Sequence, residues 1–205
     1  NNNLPLTIVP TAEKLRGIHY ESPVASAQVK SAILLAGLYA DAPTTVTEPY
    51  VSRDHTEQML AGFGVRLART GASVTLFPVE EGGYCAPDEI TVPGDISSAA
   101  YFLVAGTIIE GSRLLLKNVG VNPTRTGILD VLTGMGAHIQ LTNERTSGGE
   151  RVADIIVASA SLRGVSFGAE IMPRLIDEIP VIAVAALFAE GDTVITGASE
   201  LRVKE

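Results

Sequence analysis

One pattern recurs three times along this chain and limits what it can fold into. An Ala-rich, uncharged or nearly uncharged apolar stretch opens on a polar residue and is followed by a short β-rich run. The three stretches are 26–37, 97–106 and 177–189, and the runs that follow them are 44–47, 113–116 and 193–196. The first two stretches open on Ser26 and Ser97 and end at Gly37 and Gly106, which reads as a helix with an N-cap and a C-terminal stop. In the third, Asp177 takes the capping role and Pro180 sits near the helix start. The first two copies then add a second helix, 54–60 ending at Gly62-Phe63-Gly64 and 126–132 ending at Gly134-Met135-Gly136. Strand-like runs follow at 65–68 and 138–141. Gly64 and Gly136 stand 72 positions apart. A unit of helix, strand, helix and further strands leaves an apolar helix face open, so copies stack and bury each other's helices. The helix over 177–189 is therefore expected to be buried on nearly all sides. An ordinary open α/β layer fold is the other arrangement that this alternation allows. Residues 87–95, with two Pro, a Gly and several acids, read as a hinge or crossing between two lobes.

Composition supports a packed core and removes some classes of function. The 205 residues suffice for one large domain or two small ones, with 46% hydrophobic and 5% aromatic residues and no Trp. Such a core is aliphatic. A formal charge of −8 argues against a nucleic acid or an anionic membrane as partner, since both call for a clustered basic surface. It leaves room for a small anion held by a few Lys and Arg. Cys85 is the one cysteine, so an intramolecular disulfide and a cysteine zinc site are excluded. His19, His55 and His138 match no metal-ligand spacing. There is no apolar run of about 18 residues and no charged-then-apolar leader, so a soluble, reducing, cytoplasmic setting is expected. The start at Asn1 without Met and the stop at Glu205 read as those of a fragment.

Several residues invite two readings each. Ser26 and Gln28 open a buried helix, whose free N–H groups and dipole suit a phosphate; they also suit an N-cap and a satisfied core amide. Arg53, between a β-like stretch and a helix, can grip a phosphate bidentately or form a surface ion pair with Asp54 or Glu57. Asp177 reads as an N-cap and Glu178 as a first-turn acid. Lys204 and Glu205 read as a solvated terminal pair. Asn122 and Arg125 organise a turn, and Cys85 is inert. Residues 80–83 and 147–150 read as hairpin or loop turns.

Six runs in order resemble signatures of the enolpyruvylshikimate-phosphate synthases. They are 25–38, Ser52-Arg53-Asp54-His55-Thr56-Glu57, 93–100, Asn122-Pro123-Thr124-Arg125-Thr126-Gly127, Asp177-Glu178-Ile179-Pro180 and 200–205. Any one is weak, but together they span nearly the whole chain. The resemblance implies an inside-out α/β prism: two prism-like lobes of repeated βαβαββ units with buried helices. Residues 1–93 would form part of one lobe and 94–205 part of the second, both incomplete. It implies transfer of the enolpyruvyl group of phosphoenolpyruvate to the 5-hydroxyl of shikimate 3-phosphate, with release of phosphate. Ser26, Ala27 and Gln28 would hold shikimate 3-phosphate, with Gln28 also near phosphoenolpyruvate. Some relatives carry a second Ser where this chain has Ala27, so only backbone can serve there. Arg53 would touch substrate and Lys204 would neutralise its charge. Asp177 would act on the hydroxyl as base or orienter, and Glu205 would protonate the methylene of phosphoenolpyruvate. Glu178 would not be catalytic. No cofactor and no metal are implied, and the protein would be a monomer whose partners are its two small substrates. The rival readings are an enolpyruvyl transferase acting on a UDP-sugar, against which runs 25–38 and 200–205 argue, and a non-catalytic repeat scaffold.

Overall fold

The computed structural model describes residues 7, 9, 11–80, 83, 85 and 89–202, without the Glu200 side chain. Its elements follow the repeat. The first copy runs β1 (His19–Glu21), α1 (Ala27–Gly37), β2 (Thr44–Thr47), α2 (His55–Gly62), β3 (Leu67–Thr70) and β4 (Ser73–Leu76). The second runs α3 (Ile96–Ile108), β5 (Arg113–Gly120), α4 (Gly127–Gly134), β6 (His138–Ser147) and β7 (Glu150–Ala158). The third begins with β8 (Leu162–Arg163) and β9 (Ser166–Phe167), then α5 (Ile179–Ala186), β10 (Ala189–Glu190) and β11 (Val194–Ile195). The offset of 72 carries α2 onto α4 residue for residue.

The sheets carry the same wiring. In the first copy β2 pairs antiparallel with β4, and β4 with β3; in the second β5 pairs antiparallel with β7, and β7 with β6. Each copy has a parallel pairing across its leading helix. These are β1 with β2 around α1, a Gly94–Val119 bridge around α3, and β9 with β11 around α5. The structure is thus α/β, built of βαβαββ units, as expected. Gly64 (φ 80°) and Gly136 (φ 98°) end the second helices in the left-handed region that glycine tolerates. Gly148 and Gly149 (φ 58° and 85°) make the tight turn between β6 and β7.

Residues 1–51 and 64–85 form one compact unit, and 52–63 with 86–205 form another. In the first unit Leu34, Val46, Val65, Val74 and Leu76 are buried beneath the sheet. In the second, α3, α4 and α5 contribute Leu103, Ile128, Leu132 and Ile182, and β7 contributes Ile155; all five are fully buried. Burying an aliphatic side chain of this size stabilises by roughly 1.5–3 kcal/mol, so this cluster dominates the second unit.

Four local expectations need correction. Gly37 and Gly106 are not left-handed stops. A Cβ at Gly37 would lie 2.9 Å from the Thr44 Cβ of β2, and one at Gly106, inside α3, would lie 2.7 Å from Val157 Cγ1 of β7. Both glycines are there so that a helix can lie close on its sheet. Ser97 does not cap α3. Asp95 does, accepting from the Ser98 N–H at 2.8 Å and the Ser98 hydroxyl at 3.0 Å. The third helix starts at Ile179, because two 3₁₀ turns (Met172–Arg174 and Ile176–Glu178) occupy the preceding residues. Nor is α5 buried all round: Val184 is exposed, as are Leu187 and Phe188 just after it. No helix among the described residues is long and apolar enough to cross a membrane.

Candidate active site

In the first unit, the expected phosphate-holding residues lie at the start of α1. Ser26 is the N-cap, with extended backbone (φ −140°, ψ 107°), and its Oγ accepts from the Val29 N–H at 3.4 Å. That is a long bond, so the hydroxyl is only loosely committed to the helix. The Ser26 N–H donates to Glu48 Oε1 at 2.9 Å, and Glu48 Oε2 takes the Lys30 ammonium at 2.9 Å. Lys30 and Glu48 are each 2% exposed, so a buried ion pair from just beyond β2 fixes the first turn of α1. Ser26 and Ala27 are half-buried, whereas Gln28 is exposed. The reading of Gln28 as a satisfied core amide therefore fails. Its side chain is at the surface, on the first turn of a helix.

In the second unit, Arg53 and Asp177 meet. Arg53 Nη2 donates to Asp177 Oδ2 at 2.6 Å, and both side chains are 34% exposed. The surface pairing of Arg53 with Asp54 or Glu57 does not form. Asp54 is turned inward, accepting from Asn122 Nδ2 at 2.7 Å and from Gln58 Nε2 at 2.9 Å. Glu57 is buried. Asp177 does not cap α5 either. It lies in the middle of the 3₁₀ turn Ile176–Glu178, whose flanking residues Ile176 and Glu178 are buried. With three residues per turn, two inward side chains leave the one between them facing out. Pro180 occupies the first turn of α5, as expected. Lys204 and Glu205 lie outside the described residues, as do Pro87 and Asp88 of the expected hinge and Glu81 and Gly82 of the expected turn.

Sequence reasoning misses the buried charges. Neither the Lys30–Glu48 pair nor Glu178 stands out as a buried group, because a charged residue in an apolar run gives no sign of which way it faces. Asn122 does organise a turn, accepting from the Thr124 N–H at 2.9 Å. Arg125 does more than that: its guanidinium donates to Ser97 and stands 3.9 Å from Glu178 Oε1. A cavity of about 470 Å³ in the second unit, lined by Val121, Thr126, Leu129, Asp130, Ile139 and Arg151 among others, holds none of the expected site residues. Among the described residues no group of three His, Cys, Asp or Glu could hold a metal ion.

The comparison with known proteins is decisive on kinship. Residues 1–205 match the model of EPSP synthase (3-phosphoshikimate 1-carboxyvinyltransferase). The chain belongs to the EPSP synthase family. A 3-phosphoshikimate 1-carboxyvinyltransferase of Thermoanaerobacter sp. (strain X514) is 56% identical over all of this chain and 47% of its own length. One of Desulforudis audaxviator is 62% identical over 94% of this chain and 44% of its own. A solved EPSP synthase of Acinetobacter baumannii matches with a TM-score of 0.88 and 50% identity, over 95% of this chain and 43% of that one. The chain therefore spans less than half the length of these EPSP synthase relatives. The enolpyruvyl transferase NikO of Streptomyces tendae, 21% identical with a TM-score of 0.68, shares the fold.

Proposed function

We propose that the chain is part of an enzyme that transfers the enolpyruvyl group of phosphoenolpyruvate to the 5-hydroxyl of shikimate 3-phosphate. The observation that carries this is the family match over the whole chain, with relatives of 56% and 62% identity that bear the name of that activity. In this reading Ser26, Gln28, the Ala27 backbone, Arg53 and Lys204 hold substrate. The half-buried N-cap and the exposed Gln28 support that role, since both present polar groups at a helix N-terminus. Glu205 gives a proton to the methylene carbon of phosphoenolpyruvate, and positive charge builds at its C2. The 5-hydroxyl oxygen attacks C2 while Asp177 takes the hydroxyl proton. The resulting intermediate loses phosphate as its C–O bond breaks, and a proton leaves the new methyl group to restore the double bond. The steps need an acid, a base and cations, and no net oxidation or reduction occurs.

The same reading makes residues 1–93 and 94–205 parts of two lobes of a monomeric, cytoplasmic enzyme with no nucleic-acid or membrane partner. The exposed apolar side chains of α3 and α5, including Tyr101, Phe102 and Val184, accord with a chain that spans under half of its relatives. The 205-residue chain alone is expected to be inactive.

The test is release of inorganic phosphate from phosphoenolpyruvate by the full-length protein, with shikimate 3-phosphate and a UDP-sugar offered in parallel. Release with shikimate 3-phosphate alone, lost in Asp177→Asn, is the expected result. Release with the UDP-sugar alone would overturn the substrate, and release with neither would overturn the catalytic reading.

A further inference from the structure

The proposed chemistry leaves one buried polar cluster of the second unit unused. Arg125, 15% exposed, donates from Nη2 to Ser97 Oγ and stands 3.7 Å from Asp95 Oδ1 and 3.9 Å from Glu178 Oε1. Ser97 stands beside Glu178 and, with Arg125, favours its charged form. The Glu178 side chain is 2% exposed, and its Oε1 makes no hydrogen bond. Burial pushes this carboxyl above its ordinary range. Ser97 and Arg125 oppose that rise, the neighbouring Asp177 adds to it, and Arg53 opposes it.

A carboxylate is a poor way to fill such a space. A leucine or methionine would occupy it without stranding an oxygen, and buried ion pairs are often replaced by apolar residues with no loss of stability. What a leucine could not supply is direction. Glu178 ends the 3₁₀ turn that carries Asp177, with its own N–H on the Leu175 carbonyl at 2.9 Å. Through Arg125, which also donates to Ser97, it is linked to the first turn of α3. Through Arg125 it is tied to the 122–125 turn, where the Arg125 N–H donates to the Asn122 carbonyl at 2.8 Å. Rotation of this short turn would swing Asp177, the one outward side chain of the three.

We propose that Arg125, Ser97 and Glu178 form a positioning relay that holds the 3₁₀ turn in one orientation and so aims the Asp177 carboxylate. The relay rests on the reading of Asp177 as the group that acts on the substrate hydroxyl. Its members touch no substrate and act through Asp177.

Steady-state kinetics of the full-length protein test it, with Asp177→Asn, Glu178→Ala, Glu178→Gln and Ser97→Ala compared. Glu178→Ala is expected to lower kcat by roughly 10²-fold, the scale of an ångström of misplacement, with KM for both substrates within about twofold of the parent. Glu178→Gln keeps the shape and an oxygen facing Arg125 and is expected to recover most of that loss. A folded Glu178→Ala with the parent kcat, or with raised KM at unchanged kcat, overturns the relay. If Glu178→Ala does not fold, Ser97→Ala decides: a lower kcat at unchanged KM supports the relay, and the parent kcat overturns it. An Asp177→Asn enzyme with full turnover would overturn the reading of Asp177 and the relay with it. Loss in Asp177→Asn beside a normal Glu178→Ala would overturn the relay alone.

Discussion

The Lys30–Glu48 pair offers a sharp test of how the start of α1 is held. The two side chains are 2% exposed and 2.9 Å apart. Removing either partner takes the countercharge from the other, a loss of about 3–5 kcal/mol in comparable buried pairs. Lys30→Met and Glu48→Gln are each expected to lose about 3–5 kcal/mol. The double variant strands no charge and keeps an oxygen for the Ser26 N–H, so it should lose less than either single change. Urea unfolding of the full-length parent, the two single variants and the double variant at neutral pH measures all of this. Single variants within about 1 kcal/mol of the parent, with an additive double variant, would refute the argument.

Two further outcomes test the second unit. Asp95→Ala is expected to cost about 1 kcal/mol at neutral pH by uncapping α3. Burial pushes the Asp95 carboxyl up, but hydrogen bonds from Ser98 and the Ser97 N–H, with the Arg125 charge, outweigh it and hold the group below its usual value of 3.8. The cap's contribution is therefore present above pH 3.8 and lost as pH falls through the lower folded value, so parent and variant should converge in acid. Gly106→Ala sets a helix-propensity gain of about 1 kcal/mol against overpacking of about 1–3 kcal/mol. Val157, 2.7 Å from the new Cβ, is fully buried and cannot give way, so thermal unfolding should show a net loss; a raised Tm would contradict the close approach.

Much of the architecture is legible in the sequence because periodic features write themselves into it. The 72-residue offset locates α2 and α4, the glycine stops after them, and the strands that follow. Ser26 is readable as an N-cap because it stands directly before an uninterrupted helical run. Other features depend on partners far away in the chain. Whether Asp177 caps a helix or faces Arg53 is settled by 3₁₀ geometry and by a residue 124 positions earlier, and local pattern carries neither. Asp95 and Ser97 both suit a cap; packing and Arg125 decide between them. Gly37 and Gly106 look like stops because close helix–sheet approach and left-handed backbone ask for the same residue.

The grouping of residues 52–63 with 86–205 has a consequence for synthesis on the ribosome. The first unit is interrupted in sequence, since 52–63 leave it and 64–85 return to it. Its sheet cannot close until β3 and β4 have emerged, and by then α2 has been made without β7, against which it packs. Its N-cap Asp54 finds the Asn122 amide only once the 122–125 turn has been translated. No single cut in the gene releases either unit whole, and a gene for the first unit alone would have to replace 52–63 with a polar linker.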